Sequence, residues 1–296
     1  MIEIPVDIER KLKAVIRKIE EAVAFDGVMG ESFNASTSLK TLSRLSGMSE
    51  RSLRDWFKSY TGESVSHYAG KRRAEYAARI LRLFSRTSKS KVAEIIGLNS
   101  SQALYPFMRR NGVEDIDGLR ASCNPIDCQP LSFRFEKIDD CTLFYTLNEA
   151  NYMDCSAAEF EMENWNKIDE FVKAKYPEAI KIGDVGFAID RYIENKQEEG
   201  IFISGILCEN ISQLKLPNDM IGDIGWKNID CRKYAVFSHK GGYEGLSKFY
   251  LSALQSLGQR NDLQIEKSLL IMEKYLNSPI DTPDKELITE IWVPIR

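Results

Sequence analysis

Apolar positions in the first third of the chain recur with helical spacing. Ile8, Leu12, Val15, Ile16, Ile19 and Val23 return every three or four residues with charged side chains between them, which predicts an opening amphipathic helix ending by the Gly27 to Gly30 region. Leu39, Leu42 and Leu45 predict a second packed helix. Leu53, Trp56, Phe57 and Tyr60 then fall at i, i+3, i+4 and i+7 and predict another that turns all four toward a core. Between these two, Gly47 can adopt the left-handed backbone of a tight turn, and Ser49 is placed to cap a helix starting near Glu50. Strand-like runs begin only after Pro130: Cys141 to Leu147, Ile201 to Leu207, Tyr234 to His239, Ser268 to Leu276 and Leu287 to Ile295. Two helical patterns interrupt them, about 157–176 with Phe160, Trp165, Ile168 and Phe171, and about 243–257 with Leu246, Phe249, Tyr250 and Leu254.

The change of period coincides with the stretch from Ser122 to Pro130, which holds two prolines and reads as a linker. The expected organisation is therefore a helical domain over 1–124 and an α+β domain over 130–296. The second half also echoes itself. Asp190-Arg191-Tyr192 after Phe187-Ala188-Ile189 resembles Glu273-Lys274-Tyr275 after Leu270-Ile271-Met272, so a duplicated unit with two sheets or half-sheets about a pseudo-two-fold axis is expected, with a cleft between the copies.

Charge separates the halves further. Residues 1–124 carry 21 Lys+Arg against 15 Asp+Glu, leaving 19 against 29 of the chain's 40 and 44 for the rest. Within 36–110 the count is 15 against 5, a concentration that suits a phosphate-binding surface and equally a solvated helical face. Cys123, Cys128, Cys141, Cys155, Cys208 and Cys231 are scattered, and the two histidines, His67 and His239, have no nearby cysteine, so neither a metal site nor a cofactor is expected. Acidic residues at 3, 7, 9, 20 and 21 exclude an apolar leader, and no run approaches the roughly 18–20 apolar residues of a membrane span. A cytoplasmic protein without membrane contact is expected.

From Ser38 to Gly62 the residues have the physics of a helix-turn-helix. With Leu53 and Phe57 inward, Arg51, Arg54, Asp55 and Lys58 point outward, where arginine forks can pair with guanine O6 and N7 in a major groove. An ordinary helical hairpin with a basic exterior has the same pattern. Residues 36–121 resemble the DNA-binding domain of the AraC/XylS family, on Leu-Ser-Gly-Met-Ser-x-x-x-Leu-x-x-Trp-Phe-Lys-x-Tyr-Thr-Gly at 45–62, then Tyr68, Arg73, Ala77 and Leu81, then Val92-Ala93-Glu94-Ile95-Ile96-Gly97-Leu98-Asn99-Ser100. The resemblance implies a double helix-turn-helix on double-stranded DNA. It implies Arg51, Arg54 and Asp55 at bases in the first unit, Ser101, Gln102 and Tyr105 in the second, and a wider interface that includes Lys58, Arg73, Arg109 and Arg110. Three departures weaken the second unit: Pro106 inside its recognition helix should kink or shorten it, Lys89 replaces an apolar residue, and the segment ends acidic at Glu114, Asp115 and Asp117.

The remaining residues, about 131–296, resemble the GyrI-like domain. The resemblance rests on Trp165, Gly186-Phe187-Ala188-Ile189-Asp190, Arg232 to Gly241, Glu273-Lys274-Tyr275 and Ile291-Trp292-Val293-Pro294-Ile295. It implies a cleft that binds amphipathic, often cationic small molecules. From the residues alone, Glu273 is a carboxylate in an apolar strand and can attract a lipophilic cation beside aromatic rings. The site is taken as Glu273, Tyr275, Trp165, Phe187, Tyr192, Trp226, Tyr234 and Phe237, with Phe202, Tyr243 and Trp292 as further walls; each ring can equally be plain core. Together the two resemblances imply a transcription regulator answering to an effector, with RNA polymerase as a further partner. The alternatives are a hydrolase using Glu273 with Tyr275 or Tyr234, in a chain without a Ser-His-Asp or Cys-His arrangement, and a protein-binding module with a degenerate DNA-binding half.

Overall fold

The computed structural model describes residues 4–25, 30–84, 87–121, 130–151, 156–191, 196–211, 223–258, 260, 263 and 271–295. The chain divides into two compact units, one built chiefly on Met1–Asn124 and the other on Pro125–Asp190, Gln197–Glu266 and Leu270–Arg296. The first is helical and the second carries an antiparallel sheet.

In the helical unit, α1 (Val6–Ala24) buries Leu12, Val15, Ile19 and Val23, the face its periodicity specified. Next come α2 (Gly30–Ser36), α3 (Leu39–Ser46), α4 (Glu50–Thr61), α5 (Val65–Leu83), α6 (Lys89–Ile95), α7 (Leu104–Arg110) and α8 (Ile116–Ala121). Serines punctuate them: Ser38, Ser49, Ser64 and Ser88 cap α3, α4, α5 and α6 by accepting the backbone N–H three residues on. Between α3 and α4 the chain turns through Gly47 at φ 63°, a left-handed conformation that a side chain would resist. Long-range anchoring comes from a buried charge cluster. Glu20 of α1, fully buried, accepts from the Tyr68 hydroxyl at 2.7 Å and from Arg72 Nε at 2.9 Å, while Arg72 also pairs with Glu75.

The second unit is an eight-stranded sheet: β1 (Arg134–Ile138), β2 (Cys141–Asn151), β3 (Ile180–Arg191), β4 (Lys196–Glu209), β5 (Gly225–Ile229), β6 (Arg232–Lys240), β7 (Met272–Tyr275) and β8 (Ile288–Ile295), in spatial order β1-β6-β8-β7-β3-β4-β2-β5. Two helices accompany it, α9 (Ser156–Lys175) and α10 (Leu246–Gly258). The order exposes the repeat. Strands β2, β3 and β4 around α9 lie as β3-β4-β2, strands β6, β7 and β8 around α10 lie as β7-β8-β6, and the copies join where β3 meets β7. The half-sheets therefore form one continuous sheet. The echoed residues lie on equivalent strands, Asp190-Arg191 ending β3 and Glu273-Lys274-Tyr275 on β7, whereas Tyr192 falls outside the described residues. Beneath α9, Phe144, Ile168, Val172, Tyr176, Ile206, Cys208 and Ile224 form a buried core. Short β1 and β5 were not legible as strands, because charged residues in β1 break alternation and β5 is only five residues long.

Candidate functional site

The first candidate surface is the outer side of α4. Its capped start and the burial of Leu53 and Phe57 fix the helix rotation, leaving Arg51, Arg54, Asp55 and Lys58 exposed. Arg54 makes only an exposed contact to Glu50 at 3.4 Å, too weak to withdraw it from a ligand. Two expectations about this unit are corrected. Trp56 and Tyr60 are half-buried instead of core, and Leu45 lies 45% exposed on α3, because that helix turns Leu42 and Ser46 inward.

Arg73 also departs from expectation. Proposed for the DNA face, it is 7% exposed. Its Nε donates to the Ile96 carbonyl, one Nη donates to Asn34 Oδ1 at 3.0 Å, and the guanidinium lies 5.6 Å from the Phe33 ring and 5.4 Å from the Phe107 ring. It holds α2, α6 and α7 to the linking helix α5. With Arg72 also buried, two of the described cations between 36 and 110 belong to the interior.

In the second helical pair, Pro106 does not kink a helix. A 3-10 turn at Ser101–Ala103, capped by Ser100, precedes α7, so Pro106 occupies the first turn, where the backbone N–H has no helical partner to lose. Gln102, Arg109 and Arg110 are exposed and Ser101 half-buried. Tyr105 is engaged within the chain. Its hydroxyl donates to Asp117 at 2.8 Å and its ring lies 4.1 Å from Lys89 Nζ.

The second candidate site centres on Glu273, 6% exposed on β7. Tyr250 of α10 donates to Oε1 at 2.9 Å, and Tyr275, two residues along the strand and so on the same face, donates to Oε2 at 2.5 Å. Around the Tyr275 ring stand Trp165 of α9, centroids 5.3 Å apart, and Tyr243, 5.9 Å away; Phe202 of β4 meets Trp165 at 6.3 Å. Trp165 is fixed by its indole N–H, which reaches the Val185 and Gly205 carbonyls. Opposite Glu273 in the sheet register is Gly186, where a Cβ would come within 2.5 Å of Phe202 Cζ and 2.8 Å of the Tyr275 hydroxyl. The absent side chain is what lets the rings close over the strand.

Burial, then the Glu273 charge, holds the Tyr275 phenol well above the ordinary tyrosine range, and the same two causes push Tyr243 up to about 12. At neutral pH both are protonated, so Tyr275 acts as a donor to the carboxylate while Tyr243 stands beside its ring as a neutral phenol. A buried carboxylate with aromatic faces at this spacing can hold an organic cation by charge and by ring quadrupole.

Of the other expected wall residues, the sheet sends several elsewhere. Phe187 follows Gly186 and so points to the opposite face of β3. Tyr234 also lies on that opposite face, its ring 5.6 Å from Trp292, which rules both out beside Glu273; burial pushes its phenol up to about 12. Trp226 pairs with Phe144 on β5 at the far edge and packs into the α9 core. Phe237 shares the Glu273 face across Ile291 but is fully buried against Phe133. Tyr250, which its spacing places only in the helical pattern of 243–257, is a further site residue; its partner lies 23 residues away, beyond any local signal. Among the described residues no group of three or more His, Cys, Asp or Glu could hold a metal ion.

Residues 185–296, which contain every site residue named around Glu273 except Trp165, match the family model of the GyrI-like small molecule binding domain. No curated protein matches the sequence. Solved structures similar to this chain include SAV2435 bound to tetraphenylphosphonium, with 17% identity, covering 56% of this chain and 94% of that one, TM-score 0.36. EcmrR in a cryo-EM EcmrR–DNA complex is similar at 14% identity over 87% of this chain and 98% of its own, TM-score 0.42. The DNA-binding domain of AdpA in complex with a target DNA shows 26% identity over 38% of this chain and 90% of its own, TM-score 0.29.

Proposed function

We propose that this protein is a transcription regulator of the AraC/XylS type, binding double-stranded DNA through α4 and sensing an amphipathic cation at Glu273. The observation that carries the sensing half is one buried carboxylate whose two oxygens each accept a phenol, inside an aromatic shell and within the segment that matches a small-molecule-binding family. An incoming cation can replace a phenol at either oxygen, with the rings as its walls. Support for the DNA half is the capped α4 with its cations outward and its apolar face closed. Arg51 and Arg54 read bases in the first unit with Asp55 beside them. Gln102, Arg109 and Arg110 add contacts from the second, chiefly to phosphates. Effector occupancy then biases DNA binding or contact with RNA polymerase, in a cytoplasmic protein. Among the described residues no helix is long and apolar enough to cross a membrane.

Binding suits Glu273 better than catalysis. A phenol held well above its ordinary range is a poor general base at neutral pH, and Tyr234 is absent from the site. The DNA half is tested by fluorescence anisotropy on a duplex selected from a random pool, across a salt series. Arg51→Ala with Arg54→Ala should weaken binding to the selected duplex by about 1–3 kcal/mol for each lost base contact and narrow its margin over a scrambled duplex, whereas Arg109→Ala with Arg110→Ala should chiefly flatten the salt dependence. Unchanged affinity and margin in the first variant would remove α4 from the interface.

A further inference from the structure

We propose that the site extends along the sheet to a polar subsite at Thr289, so that its ligand is an organic cation bearing a hydroxyl or similar hydrogen-bonding group. The proposal rests on the reading of Glu273 as the cation-binding group. In the register, His239 of β6, Thr289 of β8 and Tyr275 of β7 form one row across three adjacent strands, and Glu273 lies in the next row on the same face. Directly opposed side chains in such a ladder have Cβ atoms about 4.5–5.5 Å apart, so Thr289 stands immediately beside the Tyr275 ring that walls the carboxylate.

Thr289 is 1% exposed, and its hydroxyl is buried without a hydrogen-bond partner. Its neighbours in the row are already committed. The Tyr275 hydroxyl donates to Glu273, and His239 Nε2 meets the Gly242 carbonyl at 3.2 Å while the imidazole packs against Phe249. A buried hydroxyl left unpaired is costly, and a valine of the same shape would avoid that cost; a hydroxyl at this place becomes useful when a ligand supplies its partner. The Glu273-to-Thr289 diagonal, about 7–8 Å between Cα positions, separates the ligand's charge from its polar group.

Two isosteric probes test this, (4-hydroxymethylphenyl)triphenylphosphonium and (4-ethylphenyl)triphenylphosphonium, which differ by a hydroxyl in place of a methyl. Both are titrated calorimetrically into the full chain as wild type, Thr289→Val and Glu273→Gln, with thermal melts confirming that each variant is folded. One buried hydrogen bond predicts that the affinity ratio of the two cations moves about three- to tenfold toward the hydroxymethyl compound in wild type relative to Thr289→Val. The ethyl compound should bind wild type and Thr289→Val alike. An identical ratio in both proteins overturns the subsite and leaves the role of Glu273 intact. If neither cation binds wild type, or if Glu273→Gln binds both as wild type does, the subsite and the reading beneath it fall together.

Discussion

Gly186→Ala probes the packing over the carboxylate without altering any group that would touch a ligand by charge. The new methyl would sit 2.5 Å from Phe202 Cζ and 2.8 Å from the Tyr275 hydroxyl. Ordinary contact lies near 3.5 Å, so the phenyl must retreat by about 1 Å and the phenol by about 0.7 Å. Neither has easy room. Tyr275 is tied to Glu273 and flanked by Trp165 and Tyr243, and Phe202 is 7% exposed beside Trp165. Overpacking of this kind costs about 1–3 kcal/mol, and for a domain of this size each kcal/mol lowers the melting temperature by about 2–4 °C. The assay is differential scanning fluorimetry with tetraphenylphosphonium titration of the same samples. Melting should fall within that range, and cation affinity should drop as the Phe202 and Tyr275 rings that wall the carboxylate are pushed out of place. Unchanged melting and affinity would mean that the two rings do not close over β3 at this position.

Other perturbations have equally definite outcomes. Glu20→Leu leaves buried Arg72 with Glu75 as its remaining carboxylate and should destabilise the helical unit by about 3–5 kcal/mol in urea unfolding, whereas an exposed pair would cost under about 1 kcal/mol. Pro106→Ala should change stability by less than about 1 kcal/mol, because a first-turn proline breaks no helical bond; a gain near 3 kcal/mol would place it mid-helix. Tyr243 and Tyr234, both pushed up to about 12, favour the neutral phenol in the folded state, so their contribution is fully present below about pH 10 and is lost as pH rises toward 12. Absorbance at 295 nm should therefore show a late-ionising fraction that shrinks in Tyr243→Phe and in Tyr234→Phe.

Much of the helical unit was legible because its determinants are local: a 3.6-residue period, serine caps and a left-handed glycine act within a turn or two. Arg73 was not. Whether a cation on α5 faces solvent depends on α2, whose Phe33 covers it, and on Ile96 and Phe107 from later in the chain. Pro106 was misread for a different reason, since a helix beginning at Leu104 instead of Ser101 turns an interior proline into a tolerated one. In the sheet, Glu273 and Tyr275 could be placed on one face from alternation alone. Parity also excludes Phe187 and Tyr234, but applying it requires the register of β3 and β6 against their neighbours, which no single strand contains. Tyr250 reaches Glu273 from a helix, and only tertiary packing could reveal it.

The most direct measurement of the central claim is calorimetric titration of tetraphenylphosphonium into the full chain as wild type and as Glu273→Gln, an exchange that keeps shape and removes charge. Loss of one buried charge interaction predicts saturable binding near one cation per chain, weakened at least about tenfold in the variant. Equal affinity in the two proteins would contradict it.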